Sequence, residues 1–232
     1  MKLKRIWACI LRKKYIFIAL FCCVLLSLVA IVPSTRTSVR PKCKYTIVID
    51  AGHGGRDGGS VGVNGSIEKE LNLAYAKTLE KLLTKAGVNV IMTRSNDDGL
   101  YSDDADNKKL SDMRKRRDII NNAQPDLVIS VHMNSFPLDS CKGAKTFYQI
   151  DSEASFEVAK SIQNSLYYYV DNASKTVGAG DYYILNCTKY TSILIECGFV
   201  SSPEEEALLK TKAYRDKFMY SVYRGIMMYL GI

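Results

Sequence analysis

Residues 45–65, YTIVIDAGHGGRDGGSVGVNG, decide how this chain folds. Tyr45–Ile49 is a short run rich in β-branched residues and free of turn formers, so it reads as a strand. Asp50 follows, and then a loop in which glycine recurs at short intervals. Beyond the loop the pattern changes. Leu71, Tyr75, Leu79, Leu82 and Ala86 keep a 3.6-residue period from Lys69 to Ala86, which predicts a helix, and Gly87 stops it. A strand, a glycine loop and a helix in that order open an α/β unit.

The alternation continues outward. Val88–Thr93 reads as a second strand, 95–109 as a polar acidic loop, and Leu110–Asn122 as a basic helix. Asp126–His132 (DLVISVH) is a nearly unbroken apolar run, which predicts a third strand buried on both faces. Lys145–Ile150 reads as a strand, Glu153–Val170 as a helix, Tyr182–Leu185 and Ser192–Glu196 as two further strands, and Pro203–Lys210 and Tyr214–Leu230 as closing helices. The expected fold is α/β: a single domain built on a mostly parallel twisted sheet of about six strands, with helices on both faces.

Three of the expected strands end on polar groups able to do chemistry. The first runs through Asp50 to His53, the third ends on His132 with Asn134 two residues later, and the last ends on Glu196. Sites in open α/β sheets form beyond the carboxyl ends of the strands, so these groups can converge. The chain has only two histidines, and both lie there. Neutral imidazole is the commonest metal ligand, and two imidazoles with one carboxylate form a catalytic zinc set that keeps a coordination place open. Glu68 opens the first helix and is the leading third ligand, with Glu70 its local competitor. Residues two apart on a helix do not share a face, so only one of them can serve. Glu196 follows consecutive apolar strand residues, where a carboxylate is costly to bury unless it is paired or used. GHGGRDGG lacks both the GK[ST] ending of a phosphate-binding loop and the GxGxxG spacing.

Charge points away from nucleic acid. The net charge is +8, yet residues 1–44 hold ten basic groups and no acid, which leaves 22 basic and 24 acidic groups in the other 188 residues. A domain of net charge −2 lacks the basic face that nucleic-acid binding needs. The basic tail flanks Tyr15–Val32, 18 residues without a charge. At 1.5 Å per residue such a helix just spans a bilayer core of about 30 Å, and the positive flank stays in the cytoplasm. Residues 1–33 are therefore expected to be a cytoplasmic stub and transmembrane signal-anchor, 34–44 a polar linker, and 45–232 a domain outside the membrane. A cleaved signal peptide is the alternative; it would release the domain. Of the seven cysteines, Cys9, Cys22 and Cys23 belong to the tail, and the pairing of Cys43, Cys141, Cys187 and Cys197 stays open. No CxxC spacing occurs.

Four blocks, IVIDAGHGG, SIEKELNL, LVISVHMNS and ILIECGFVSSPEE, resemble in order the motifs of the zinc-dependent N-acetylmuramoyl-L-alanine amidases of the type 3 cell-wall family. The resemblance covers about residues 45–231. It implies one zinc ion per chain held by His53, Glu68 and His132, thereby favouring Glu68 over Glu70, with Glu196 as the catalytic carboxylate. Arg116 matches the family's usual arginine, and Ile120 stands where a smaller residue is usual. The implied substrate is peptidoglycan, cut at the amide between N-acetylmuramic acid and L-alanine. Asn134, Arg56 and Arg94 are candidates for positioning it, the two arginines through the acidic stem peptide. A catalytic domain behind a hydrophobic segment is most similar to the germination-specific amidases, which act on spore cortex and prepare muramic acid for δ-lactam formation. That likeness implies action at the extracytoplasmic membrane face or in the spore envelope, and is compatible with an accessory activator protein. A zinc peptidase of cell-wall peptides and a non-catalytic glycan-binding domain are the alternatives.

Overall fold

The computed structural model describes residues 44–138 and 141–232. The apolar segment Tyr15–Val32, the linker up to Cys43, and the cysteines at 9, 22, 23 and 43 lie outside the described residues. Among the described residues no helix is long and apolar enough to cross a membrane. Among the described residues Cys141, Cys187 and Cys197 form no disulfide with one another.

The strands are β1 (Thr46–Ala51), β2 (Asn89–Met92), β3 (Leu127–Asn134), β4 (Lys145–Gln149), β5 (Gly178–Gly180) and β6 (Ser192–Phe199). The helices are α1 (Glu68–Lys85), α2 (Lys108–Ala123), α3 (Glu153–Tyr169), α4 (Tyr183–Asn186), α5 (Pro203–Leu209) and α6 (Lys212–Leu230). One sheet holds all six strands in the order β2-β1-β3-β6-β4-β5. Only the β4–β6 pair is antiparallel. The α/β fold and the mostly parallel sheet of six strands are as the sequence leads one to expect.

Side-chain alternation splits the core in two. Ile47, Ile49 and Ala51 of β1, Leu127, Ile129 and Val131 of β3, and Ile193 and Ile195 of β6 pack with residues of α1, α3 and α6, among them Leu79, Ile162 and Phe218. The intervening residues Val48, Val128 and Leu194 form a smaller cluster with Ile120 of α2 and Ile184 and Leu185 of α4. Successive strand residues face opposite sides, so both faces are covered and both are apolar near the strand amino ends. Ile120, the departure from the family pattern, is wholly buried in this second cluster.

One element differs in kind from expectation. Tyr182–Leu185 is not a strand; Tyr183–Asn186 is a helical turn, and the strand beside β4 is Gly178–Gly180. A four-residue apolar run cannot be told from a buried helical turn by periodicity. Here the turn is favoured because it buries Ile184 and Leu185 together. The Gly-Ala-Gly strand carries no β-forming side chain, so nothing local announces it. Smaller differences lie at the ends. β3 continues to Asn134 and β6 to Phe199, and α2 begins at Lys108, capped by the Asn107 side chain accepting from Leu110 N–H at 2.9 Å.

Candidate metal centre and its cleft

Beyond the apolar cluster, the α2/α4 side of the sheet turns polar. By alternation Asp50, Ser130, His132 and Glu196 follow Val48, Val128 and Leu194 onto that side, and His132 lies opposite Glu196 in the β3–β6 register. β1 ends beside them. A side-chain carbon on Gly52 would lie 2.2 Å from the His132 ring, so only glycine lets the backbone pass. The chain then turns sharply at His53, which has φ 62°. A non-glycine residue in the left-handed region costs on the order of 1 kcal/mol and persists only where its surroundings impose it.

His53, Glu68 and His132 come together as a group whose donor atoms lie within 4.8 Å of one another. Glu68 Oε1 is 3.1 Å from His53 Nε2 and 3.0 Å from His132 Nδ1. The second oxygen of Glu68 accepts from Ser60 N–H at 2.8 Å. Glu68 is the first residue of α1 and buried, whereas Glu70 is exposed. The geometry selects Glu68 by burial. Gly59 (φ 69°) keeps this approach open, because a side-chain carbon there would meet Glu68 Oε2 at 2.6 Å and the His53 ring at 2.8 Å.

Two neighbours hold the donors in place. Asp57 Oδ1 sits 3.0 Å from His53 Nδ1, which orients the ring and leaves Nε2 facing Glu68. A carboxylate behind a histidine in this way fixes the tautomer and raises ligand basicity. Asn72 Nδ2, one helical turn after Glu68, donates to Glu68 Oε1 and to the Gly52 carbonyl, each at 3.2 Å. Burial alone would raise the Glu68 carboxyl, but its bonds to His132 and His53, and their charge, hold it far below the ordinary carboxylate range. Burial disfavours charge on His53, yet Glu68 and Asp57 together raise it above the usual imidazole value. Two imidazoles crowded on one carboxylate oxygen, with a second carboxylate behind, form a donor set that fits a zinc ion.

Glu196 lines the same cleft as His53 and His132. It is 8% exposed, and its Oε2 is buried with no hydrogen-bond partner among the described residues. Burial, opposed by the histidines and reinforced by Glu68, pushes its carboxyl up to about 7. An unpartnered carboxylate oxygen is expensive to keep inside a protein, and such groups mark functional sites.

Arg116 does what the sequence did not reveal. It is fully buried, binds Asp50 Oδ1 at 2.7 Å and Asp112 Oδ2 at 2.6 Å, and donates to the carbonyls of Ala51 at 2.8 Å and His53 at 2.6 Å. The guanidinium therefore clamps the backbone on either side of Gly52 and holds His53 in its left-handed turn. Burial would raise Asp50, but the Arg116 charge and the bond from Ser130 bring it down to about 2. Arg94 has a different job from the expected contact with a stem peptide. It is buried, and its guanidinium donates to the carbonyls of Ala51, Gly52, Lys69 and Asn96, so it braces the loop from behind. Arg56 is exposed and lines the cleft. Asn134 lies at the irregular end of β3, where its carbonyl accepts from Val200 N–H, and it is not among the cleft residues. Asp57 and Asn72, missed in the sequence, each stand four residues after a member of the donor group, His53 and Glu68 respectively.

Comparison with known proteins agrees with this picture. Residues 47–228 match the family described as N-acetylmuramoyl-L-alanine amidase. The chain is 37% identical over 188 residues to the germination-specific N-acetylmuramoyl-L-alanine amidase of Bacillus subtilis, an overlap of 79% of this chain and 78% of that one. It is 31% identical over 204 residues to the amidase LytC of the same organism, covering 85% of this chain and 39% of LytC. The CwlD amidase of Clostridioides difficile, solved in complex with the GerS lipoprotein, superposes with a TM-score of 0.77 at 36% identity, covering 81% of this chain and 98% of that one.

Proposed function

Since this chain belongs to the N-acetylmuramoyl-L-alanine amidase family, we propose that His53, Glu68 and His132 hold one zinc ion and that Glu196 carries the protons of the reaction. The activity is that of an N-acetylmuramoyl-L-alanine amidase of the germination-specific type: hydrolysis of the amide joining the lactyl group of N-acetylmuramic acid to L-alanine in peptidoglycan. The convergence of two imidazole nitrogens on Glu68 Oε1, beside the unpartnered Oε2 of Glu196, carries this reading.

A zinc ion in that donor set supplies Lewis-acid polarisation of the scissile carbonyl and a water acidified to a pKa of about 7. The chain's own groups do the rest. Glu196 takes a proton from the attacking water at its free oxygen and returns it to the departing amine nitrogen, which otherwise leaves as a strongly basic anion. Asp57 keeps the His53 ring in the tautomer that leaves Nε2 free, and Asn72 keeps Glu68 Oε1 turned toward both histidines. Arg116 holds the backbone from which His53 projects.

The setting is the cell wall. Residues 1–33 form the membrane anchor, 34–44 the linker and 45–232 the catalytic domain, which works outside the membrane on spore cortex and prepares muramic acid for δ-lactam formation. An accessory protein, as GerS is found with CwlD, completes the assembly.

The full chain, purified in detergent, is to be measured for bound zinc and then incubated with peptidoglycan, with the products read by mass spectrometry. The expected result is close to one zinc per chain and stem peptides with a free L-alanine amine. Peptides cut elsewhere, with the lactyl amide intact, would make the protein a peptidase.

A further inference from the structure

Helix α1 starts without a side-chain cap. Its N-cap residue is Ile67, which makes no capping bond, although the next residue is Glu68, the carboxylate of the donor group. A helix start ordinarily draws on a Ser, Thr, Asp or Asn oxygen to satisfy its first free N–H groups. Here backbone does so: Glu68 N–H donates to the Ser60 carbonyl and Lys69 N–H to the Gly58 carbonyl, each at 3.0 Å. Ser60 N–H in turn donates to Glu68 Oε2. Residues 58–66 therefore set where α1 begins and where the Glu68 carboxylate points.

That segment has little to hold itself together. GGSVGVNGS contains four glycines and exposes Val61 and Val63. It folds back as a small hairpin in which Val61 bridges Ile67, Gly62 N–H donates to the Ser66 carbonyl at 2.8 Å, and Gly65 N–H to the Gly62 carbonyl at 3.0 Å. A lone hairpin is marginal in water, and glycine raises the entropy lost in ordering it.

The grip comes from α5, about 140 residues further along the chain. Glu206 is fully buried; its Oε2 accepts from Asn64 N–H at 2.6 Å and its Oε1 from Ser66 N–H at 2.9 Å. Bonds of this kind, from backbone N–H to a carboxylate, are stronger than neutral ones. The packing is close: a side-chain carbon on Gly62 would lie 2.4 Å from Glu206 Oε1. The neighbouring Glu205 is 2% exposed and accepts from Gly143 N–H at 2.9 Å and Phe199 N–H at 2.7 Å. The two carboxylates share a helix and a degree of burial, and they hold different loops.

We propose that Glu206 is a positioning residue for the metal centre: by gripping the tip of the 58–66 hairpin it fixes the start of α1, and so holds Glu68 where both histidines reach it. The proposal rests on the zinc reading of the donor group.

The test uses the full chain in detergent. Glu206→Gln keeps the side-chain volume but sets an amide NH2 against a backbone N–H. Gly62→Ala leaves Glu206 intact and pushes the hairpin off its carboxylate; Gly62 is outside the left-handed region, so alanine acts there through contact and not backbone strain. Glu205→Gln is the control. Zinc affinity is measured by competition with a chelator, and hydrogen exchange of peptides spanning 58–71 is followed by mass spectrometry in the zinc-free chain. Glu206→Gln and Gly62→Ala should each bind zinc about 10–100-fold more weakly, as when a group that orients a donor is lost. Exchange in 58–71 should speed up by about tenfold or more. Glu205→Gln, whatever it does to urea unfolding, should leave zinc affinity and that exchange within about twofold of wild type. Unchanged zinc affinity in the first two variants, or an equal fall in the control, would overturn the proposal. A wild-type chain that takes up no zinc would instead remove the zinc reading, and the exchange comparison would then decide by itself whether Glu206 fixes Glu68.

Discussion

The two faces of this sheet use the same strands for opposite ends. On the α1, α3 and α6 side, β1, β3 and β6 present apolar side chains along their length. On the α2 and α4 side the same strands begin apolar at Val48, Val128 and Leu194 and then turn to Asp50, Ser130, His132 and Glu196. The first face stabilises by burial and asks nothing of geometry beyond packing density. The second gives up part of that burial to hold a buried ion pair, an unpartnered carboxylate and a cleft. The difference teaches that the site is affordable because the opposite face of the same strands is so fully apolar.

Substitutions can break that contrast. Glu196→Gln removes the proposed proton carrier from the polar face and should lower kcat by about 10²–10⁴-fold, with zinc content unchanged. Turnover near wild type would take Glu196 out of the reaction. Arg116→Met strips the partner from Asp50 and the clamp from His53. It should cost about 3–5 kcal/mol in urea unfolding, as expected when one member of a buried pair is removed, and weaken zinc binding as well. Leu79→Ala on the apolar face should cost about 2–5 kcal/mol and leave zinc affinity alone. If zinc affinity fell equally in both variants, the division of labour between the faces would be wrong.

Two smaller effects sharpen the comparison. Asp57→Asn keeps the shape of the His53 contact while removing its charge, and competition with a chelator should show zinc affinity reduced by about 10–100-fold. The last is a pH effect in the zinc-free chain. The Glu196 carboxyl is raised to about 7, so in the folded state it holds a proton that the unfolded chain has already released. The stability this contributes is complete below the ordinary carboxylate range and is lost as pH rises through about 7. Glu196→Gln should therefore match the wild type at pH 4 and exceed it at pH 8 by roughly 1–3 kcal/mol, read from thermal melts. A constant difference across that range would mean the carboxylate is not held up by burial.

Much of the site was legible because its groups sit at the ends of strands that announce themselves. β3 and β6 are apolar runs terminated by single polar residues, and a chain with only two histidines, both at such ends, leaves few ways to build a metal centre. The roles of Arg116 and Arg94 were not legible. Arg116 reads only as the family's usual arginine and Arg94 as a substrate contact until backbone carbonyls 25 to 65 positions away are brought to them. α4 and β5 were misread for a related reason. Their local preference is weak, and the cluster around Ile120 and the edge of β4 decide them instead.

By itself the sequence determined the α/β alternation, the parallel strands buried on both faces, and the place of both histidines beyond strand ends, because these follow from hydrophobic period and from a chain with only two histidines; the choice of Glu68 over Glu70 came from the family resemblance and from burial. The tertiary structure alone decided which groups orient the donor set, that Arg94 supports the loop, and that α2 and α4 enclose a cleft. Those outcomes depend on distances between segments far apart in the chain, and a linear pattern does not encode such distances.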